Sequence, residues 1–137
     1  MARAATKRIM SVGLAVGARL PATCTSMGRV LLAALAEVEA RRRVEASERR
    51  ALTSRTVTDV AAIMGRIAAA RRDGHVVIDQ ELEVGLTSIA VPVVDRAGRT
   101  LAAINVGTQA ARFPPDALVR AFLPKLQAVQ ADLARLL

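Results

Sequence analysis

Tryptophan and tyrosine are absent from this chain, and phenylalanine occurs twice, at Phe113 and Phe122. A core must therefore be built from Ala, Val, Leu, Ile and Met, which the 53% hydrophobic content over 137 residues can supply. Scarce aromatics also argue against single-strand nucleic-acid binding, which stacks bases on aromatic rings. The single cysteine, Cys24, allows no internal disulfide and suits a reducing compartment. No apolar run reaches the roughly 18 residues of a membrane span. The basic start Met1–Arg8 leads into a segment broken by Ser11, Gly13, Gly17 and Arg19, which is not a secretory signal. A soluble cytoplasmic protein with no membrane partner is the expectation. Catalytic residues are equally scarce. A Cys24–His75 nucleophile pair would lack a third, orienting group. No metal-ligand spacing and no glycine-rich phosphate loop are present. No enzyme activity, metal or cofactor is expected.

The formal charge is +8, unevenly spread. Residues 1–50 hold 10 Lys/Arg against four acidic residues. The excess lies at Arg3, Lys7 and Arg8 and in the cluster Arg41, Arg42, Arg43, Arg49 and Arg50. Such a balance suits an anionic partner, but a solvated helix face is the commoner origin of a charge run.

Residues 8–16 read as a strand ending at Gly17. Leu20-Pro21 then imposes extended backbone, and Thr25 or Ser26 can cap a helix running to about Leu35. A second helix over about 37–46 carries most of the arginines. Residues 58–73 form the clearest amphipathic helix, capped by Thr58 or Asp59. Its apolar face is Val60, Ile63, Met64 and Ile67, and Gly74 stops it. Strands follow at His75–Glu81, Leu86–Val94 and Thr100–Gly107. The turn Asp95–Gly98 makes the last two an antiparallel hairpin. Pro114 and Pro115 open a terminal helix with a seam of Leu118, Phe122, Leu126, Val129, Leu133 and Leu136, able to pack on the sheet or on a second subunit. Pro124 predicts a kink or break near Phe122. The sum is an α+β fold, a mostly antiparallel sheet flanked by helices.

One segment stands apart: Cys24-Thr-Ser-Met-Gly-Arg-Val-Leu-Leu-Ala33. Small hydroxyl residues entering a helix present free backbone N–H groups, and the helix dipole favours an anion such as a carboxylate there. An ordinary N-cap leaves the same trace. Asp79, Glu81 and Glu83 alternate and would share one face of a strand, as acid–base partners or as a solvated edge.

The motifs Gly17-Ala-Arg-Leu-Pro-Ala and Thr25-Ser-Met-Gly-Arg-Val-Leu-Leu-Ala, then Gly74-His-Val-Val-Ile-Asp-Gln-Glu, Gly85-Leu-Thr-Ser-Ile-Ala-Val-Pro-Val and Gly98-Arg-Thr-Leu-Ala-Ala-Ile-Asn-Val, occur in one order. With Phe122-Leu-Pro-Lys-Leu they resemble the effector-binding domain of IclR-type (isocitrate lyase regulator) bacterial transcription factors over residues 8–137. The resemblance implies a GAF-like sensor domain for a small carboxylate metabolite. It also implies a homo-oligomer, dimer or tetramer, and operator DNA contacted only through a preceding winged helix-turn-helix domain. By motif position the ligand pocket would fall on Thr25, Ser26 and Met27 at the helix start, and on Asp79, Ser88 and Asn105. Ser88 and Asn105 would lie on neighbouring strands and face one cavity. Arg19 is added as a bidentate carboxylate partner. The stretch Arg8-Ile-Met-Ser-Val-Gly-Leu and the signature Thr25-Ser-Met-Gly-Arg are most similar to the subgroup controlling aromatic-acid breakdown through the β-ketoadipate pathway. The effector would then be an aromatic acid such as protocatechuate or p-hydroxybenzoate, or the dicarboxylate β-ketoadipate.

The match begins within ten residues of Met1, so an N-terminally truncated domain is expected, its first strands and the DNA-binding domain missing. An unpaired sheet edge beside residues 8–16 would favour self-association. The alternative function is an interaction fragment that pairs with full-length regulators without binding DNA itself.

Overall fold

A computed structural model describes residues 15–137. The strand expected over 8–16 lies outside the described residues, apart from Ala15 and Val16, which lead into a turn at Gly17. Helix α1 spans Ser26–Ala33, α2 Glu37–Ala46 and α3 Val60–Asp73; strands β1 Val76–Asp79, β2 Leu86–Val94 and β3 Thr100–Gln109 follow, and α4 Pro115–Leu136 closes the order. The strands form one antiparallel sheet in the order β1-β2-β3. The α+β arrangement is the expected one.

Local chemistry explains most boundaries. The Asp59 carboxylate accepts from Ala62 N–H at 2.9 Å and starts α3. Gly74, with φ of 76°, ends α3 in the left-handed conformation that glycine adopts without strain. The hairpin turns on Asp95, whose carboxylate accepts from the amides of Ala97 and Arg99. Those bonds, the Arg99 amide foremost, hold the Asp95 carboxyl below its usual range. Helix α1 ends at Ala33, short of Leu35, tightening into i→i−3 bonds at Ala34 and Leu35, and Arg71 of α3 caps the carbonyls of Ala33 and Leu35.

The sheet carries a helix layer on each face. Val76 and Ile78 of β1 and Ala90 of β2 pack against Val30 of α1 and Ala70 of α3. On the other face, Ile89 and Val91 pack against Leu118 and Leu126 of α4. The two phenylalanines sit there in edge contact, ring centres 5.2 Å apart. Helix α2 is held off the sheet, against α1 and α3, through Ala40, Val44, Ile63 and Ile67.

Three expectations from the sequence need correction. Strand β1 ends at Asp79 rather than at Glu81, because Gln80 has φ of 58° and leaves the strand. Asp79, Glu81 and Glu83 therefore do not alternate along one strand face. Helix α4 is one element through Pro124 rather than two. Phe122 and Leu126, on either side of the proline, pack on the same cluster, so burial keeps the helix unbroken across it. Pro124 and Arg120 are exposed, so the carbonyl that loses its helical donor is on the wet side. The apolar seam of α4 also divides: Leu118 and Leu126 are buried on the sheet, whereas Val129 and Leu136 are exposed. No helix among the described residues is long and apolar enough to cross a membrane.

The arginine cluster is internally compensated. Arg42 and Arg43 both bond Glu39, whose carboxyl is driven down to about 2 by those two hydrogen bonds. Arg41 pairs with Glu45, and Arg50 with Glu48. Arg49 is spent on backbone, donating to the carbonyls of Val44, Glu45 and Ser47 at the end of α2 and to Thr58 O. This is a solvated, self-paired helix face.

Candidate functional site

The start of α1 is built by the segment 21–25. Thr25 has extended backbone and acts as the N-cap: its hydroxyl accepts from Gly28 N–H at 3.2 Å and donates to Pro21 O at 2.8 Å. Gly28 allows this close folding, since an added Cβ would lie 2.3 Å from Ala22 O and 2.6 Å from the Thr25 hydroxyl. With Gly28 N–H satisfied by the cap, the amides of Ser26 and Met27 remain as donors at the helix start.

Helix α1 lies with this end over β2. Ser88 Oγ donates to Ser26 Oγ at 2.9 Å. Both residues are buried, at 7% and 1% exposure. Met27 is half-buried and packs on the cluster around Val30 and Ala90. Asn105 stands opposite Ala90 in the β2–β3 register, so it shares the sheet face of Ala90 and Ser88, and it is exposed. Ser26, Ser88 and Asn105 thus lie on one side of the sheet.

Asp79 does not join them. It stands opposite Thr87, on the face that α4 covers, and its carboxylate is held by Arg55 at 2.6 Å and by the Gln80 amide. Arg19 is exposed and makes no side-chain bond among the described residues. An open groove of about 1030 Å³ runs beside α1, lined by Gly28, Leu31, Leu32, Leu35, Arg43 and Thr100. Ser26 and Ser88 do not line it; they are turned toward the sheet and bonded to each other.

Residue-by-residue reading missed the polar centre of this region. Arg29 is 2% exposed and Glu81 7%. The Arg29 guanidinium grips both Glu81 oxygens, at 2.9 and 2.7 Å, and its Nε donates to Thr23 O at 2.9 Å. Glu81 also accepts from Val57 N–H at 3.0 Å. A signal was present: Ser26, Arg29, Val30 and Ala33 share one helix stripe, and an arginine on a buried stripe requires a carboxylate. Which carboxylate is not written locally.

Cys24 is buried beside this pair. Burial, and then the charge of Glu81, push its thiol above the ordinary value, with Arg29 opposing. His75 bonds the Asp73 carbonyl just before β1, and the charged groups that act on the Cys24 thiol are Glu81 and Arg29. Cys24 is expected to react with iodoacetamide at neutral pH on the order of a hundredfold more slowly in the folded chain than in denaturant, because the thiolate is both scarce and covered. Labelling at the unfolded rate in the native protein, read by mass spectrometry, would contradict that placement.

The comparisons with known proteins agree with one another. Residues 1–135 match the model of the bacterial transcriptional regulator IclR C-terminal family. The chain is 48% identical over 134 residues to the Pca regulon regulatory protein of Pseudomonas putida, covering 97% of this chain and 46% of that one. It is 35% identical over 129 residues to the p-hydroxybenzoate hydroxylase transcriptional activator of Acinetobacter baylyi, covering 94% and 48%. Among solved structures, the inducer-binding domain of the PobR transcription factor from Acinetobacter, a double mutant in complex with 3-hydroxybenzoic acid, superposes with a TM-score of 0.89 at 33% identity, covering 96% of this chain and 75% of that one. The chain spans about half the length of the curated relatives it matches.

Proposed function

Since this chain belongs to the IclR family of bacterial transcriptional regulators, as its C-terminal domain, we propose that it senses a small aromatic or dicarboxylic acid for a regulator of aromatic-acid catabolism. The observation that carries this reading is the buried Ser88–Ser26 hydroxyl contact at the capped start of α1. A carboxylate suits that place for two reasons. The amides of Ser26 and Met27 point out of the helix start, where the dipole favours negative charge. The two hydroxyls currently satisfy one another, and rotating either would supply a donor to an incoming oxygen. Asn105, exposed on the same face, can read a ring hydroxyl or a second carboxylate. Arg19 would approach the acid from the segment before α1. Asp79, on the opposite sheet face and bonded to Arg55, takes no part in this seat.

The relatives support the ligand class through their names: two are regulators of Pca and p-hydroxybenzoate genes, and the PobR domain holds a hydroxybenzoic acid. On this reading the domain binds its acid without transforming it. Assembly into a dimer or tetramer, contact with operator DNA through a separate N-terminal domain, and a cytoplasmic location belong to the same proposal.

The test is thermal unfolding with 3-hydroxybenzoate, p-hydroxybenzoate, protocatechuate and β-ketoadipate. A ligand at a hundred times its Kd stabilises the native state by about 2.7 kcal/mol. At least one acid is expected to raise Tm, and Ser88→Ala or Ser26→Ala should weaken its binding about tenfold, the worth of one hydrogen bond to a charged group. No shift with any of the four, in a chain that unfolds cooperatively, would refute the reading.

A further inference from the structure

We infer that Arg29 and Glu81 are positioning residues, whose buried pair sets where the start of α1 stands over β2 and so holds Ser26 against Ser88. This rests on the reading of that hydroxyl pair as part of the ligand seat.

Glu81 is the fixed partner. The turn that carries it is tied from outside by bonds that do not involve Arg29. The Thr53 hydroxyl donates to Gln80 O at 2.6 Å, the Thr56 hydroxyl donates to Glu81 O at 2.6 Å, and Val57 N–H donates to the Glu81 carboxylate. This anchoring accompanies the left-handed backbone of Gln80, which takes the chain out of β1 and brings Glu81 in under α1. Arg29 is the arm. All three of its guanidinium nitrogens are used, two on Glu81 and one on Thr23 O. The last bond matters for the seat. It holds the segment 21–25 from the helix side, while the Thr25 hydroxyl holds Pro21 from within the segment. Arg29 is one turn beyond Ser26 on the same stripe of α1, so a shift at Arg29 moves Ser26 with it.

A buried ion pair is not needed to hold a helix on a sheet, because well-packed apolar residues of similar volume do that as well or better. What a planar fork adds is geometry: two parallel bonds fix both the height and the rotation of the helix.

That contrast provides the experiment. The double variant Arg29→Met/Glu81→Leu should fold, since neither charge is left unpaired. Two quantities are read on the full chain. Hydrogen exchange of the amides of residues 28 and 29, which bond the Thr25 hydroxyl and carbonyl, should rise tenfold or more, with the amides of residues 118–123 unchanged. The Kd for 3-hydroxybenzoate should rise at least tenfold at a temperature where the variant is fully folded. Arg29→Lys keeps the charge without the fork, and should show the same selective exchange even if the double variant folds poorly. Unchanged exchange at residues 28 and 29 in either folded variant overturns the positioning role, whatever the ligand does. Unchanged Kd with raised exchange overturns it also. If the parent chain binds none of the acids while the exchange change is seen, the sensor reading fails and the anchoring of the helix start stands.

Discussion

Arg29→Ala is expected to lower the unfolding free energy by about 3–5 kcal/mol, because it strands the Glu81 carboxylate in a buried place without its counter-charge. The cost has identifiable parts. Two bonds of the fork and the bond to Thr23 O disappear together, and water cannot replace them where both side chains are covered. Glu81→Ala should cost a similar amount, since it orphans the guanidinium and also removes the acceptor of Val57 N–H. Glu81→Gln should fall lower, at about 1.5–3 kcal/mol, because the amide oxygen still accepts while the charge is lost. For a domain with a total stability of about 5–15 kcal/mol, the alanine variants give up a large share of it. Arg42→Ala is the control: its pair with Glu39 is exposed and its loss should leave the unfolding free energy unchanged within error. Urea denaturation measures all four. A loss below about 1 kcal/mol for Arg29→Ala would mean that the pair is screened by solvent rather than buried.

The second large effect is expected at Gly28. Alanine is ordinarily the better helix residue, by about 1 kcal/mol. Here the added methyl would sit 2.3 Å from Ala22 O and 2.5 Å from Ala22 Cα, both backbone atoms that cannot rotate away. The segment 21–25 must then lift, breaking the Thr25 cap and its bond to Pro21. A net loss of about 2–3 kcal/mol is expected, the usual cost of overpacking a closed site. Gly65→Ala in the same experiment should have the opposite sign. Gly65 lies on the exposed side of α3, and a methyl there meets nothing within 4 Å. It should gain about 0.5–1 kcal/mol from helix propensity alone. The pair separates glycine as a helix breaker from glycine as a space requirement. If both variants stabilised the chain, the close approach of Ala22 to α1 would be wrong.

What could be read before folding was local. The start of α3 at Asp59 and its stop at Gly74, the hairpin at Asp95–Gly98 and the capping role of Thr25 each involve residues within about a turn of one another. Their physics is short-range, so composition and spacing expose them. The α+β class followed from the order of those pieces. The family motifs placed Ser26, Ser88 and Asn105 among the candidates, and the register brings them to one face of the sheet.

What escaped the sequence depended on distant partners. Asp79 looked like a companion of Ser88, but strand alternation puts it on the other face, with Arg55. Glu81 looked like one of three solvated carboxylates, yet the turn at Gln80, held by Thr53 and Thr56, carries it inside. Pro124 looked like a kink or a break, and burial on both sides of it excludes the break.

The sequence by itself therefore determined the elements, their caps and the hydroxyl-rich start of α1, because those rest on contacts three or four residues apart. Only the tertiary structure decided which charge meets which. The partner of Arg29 is 52 residues away, and a bidentate contact needs both groups brought together and covered from water, which the closing of α1 over the sheet alone provides.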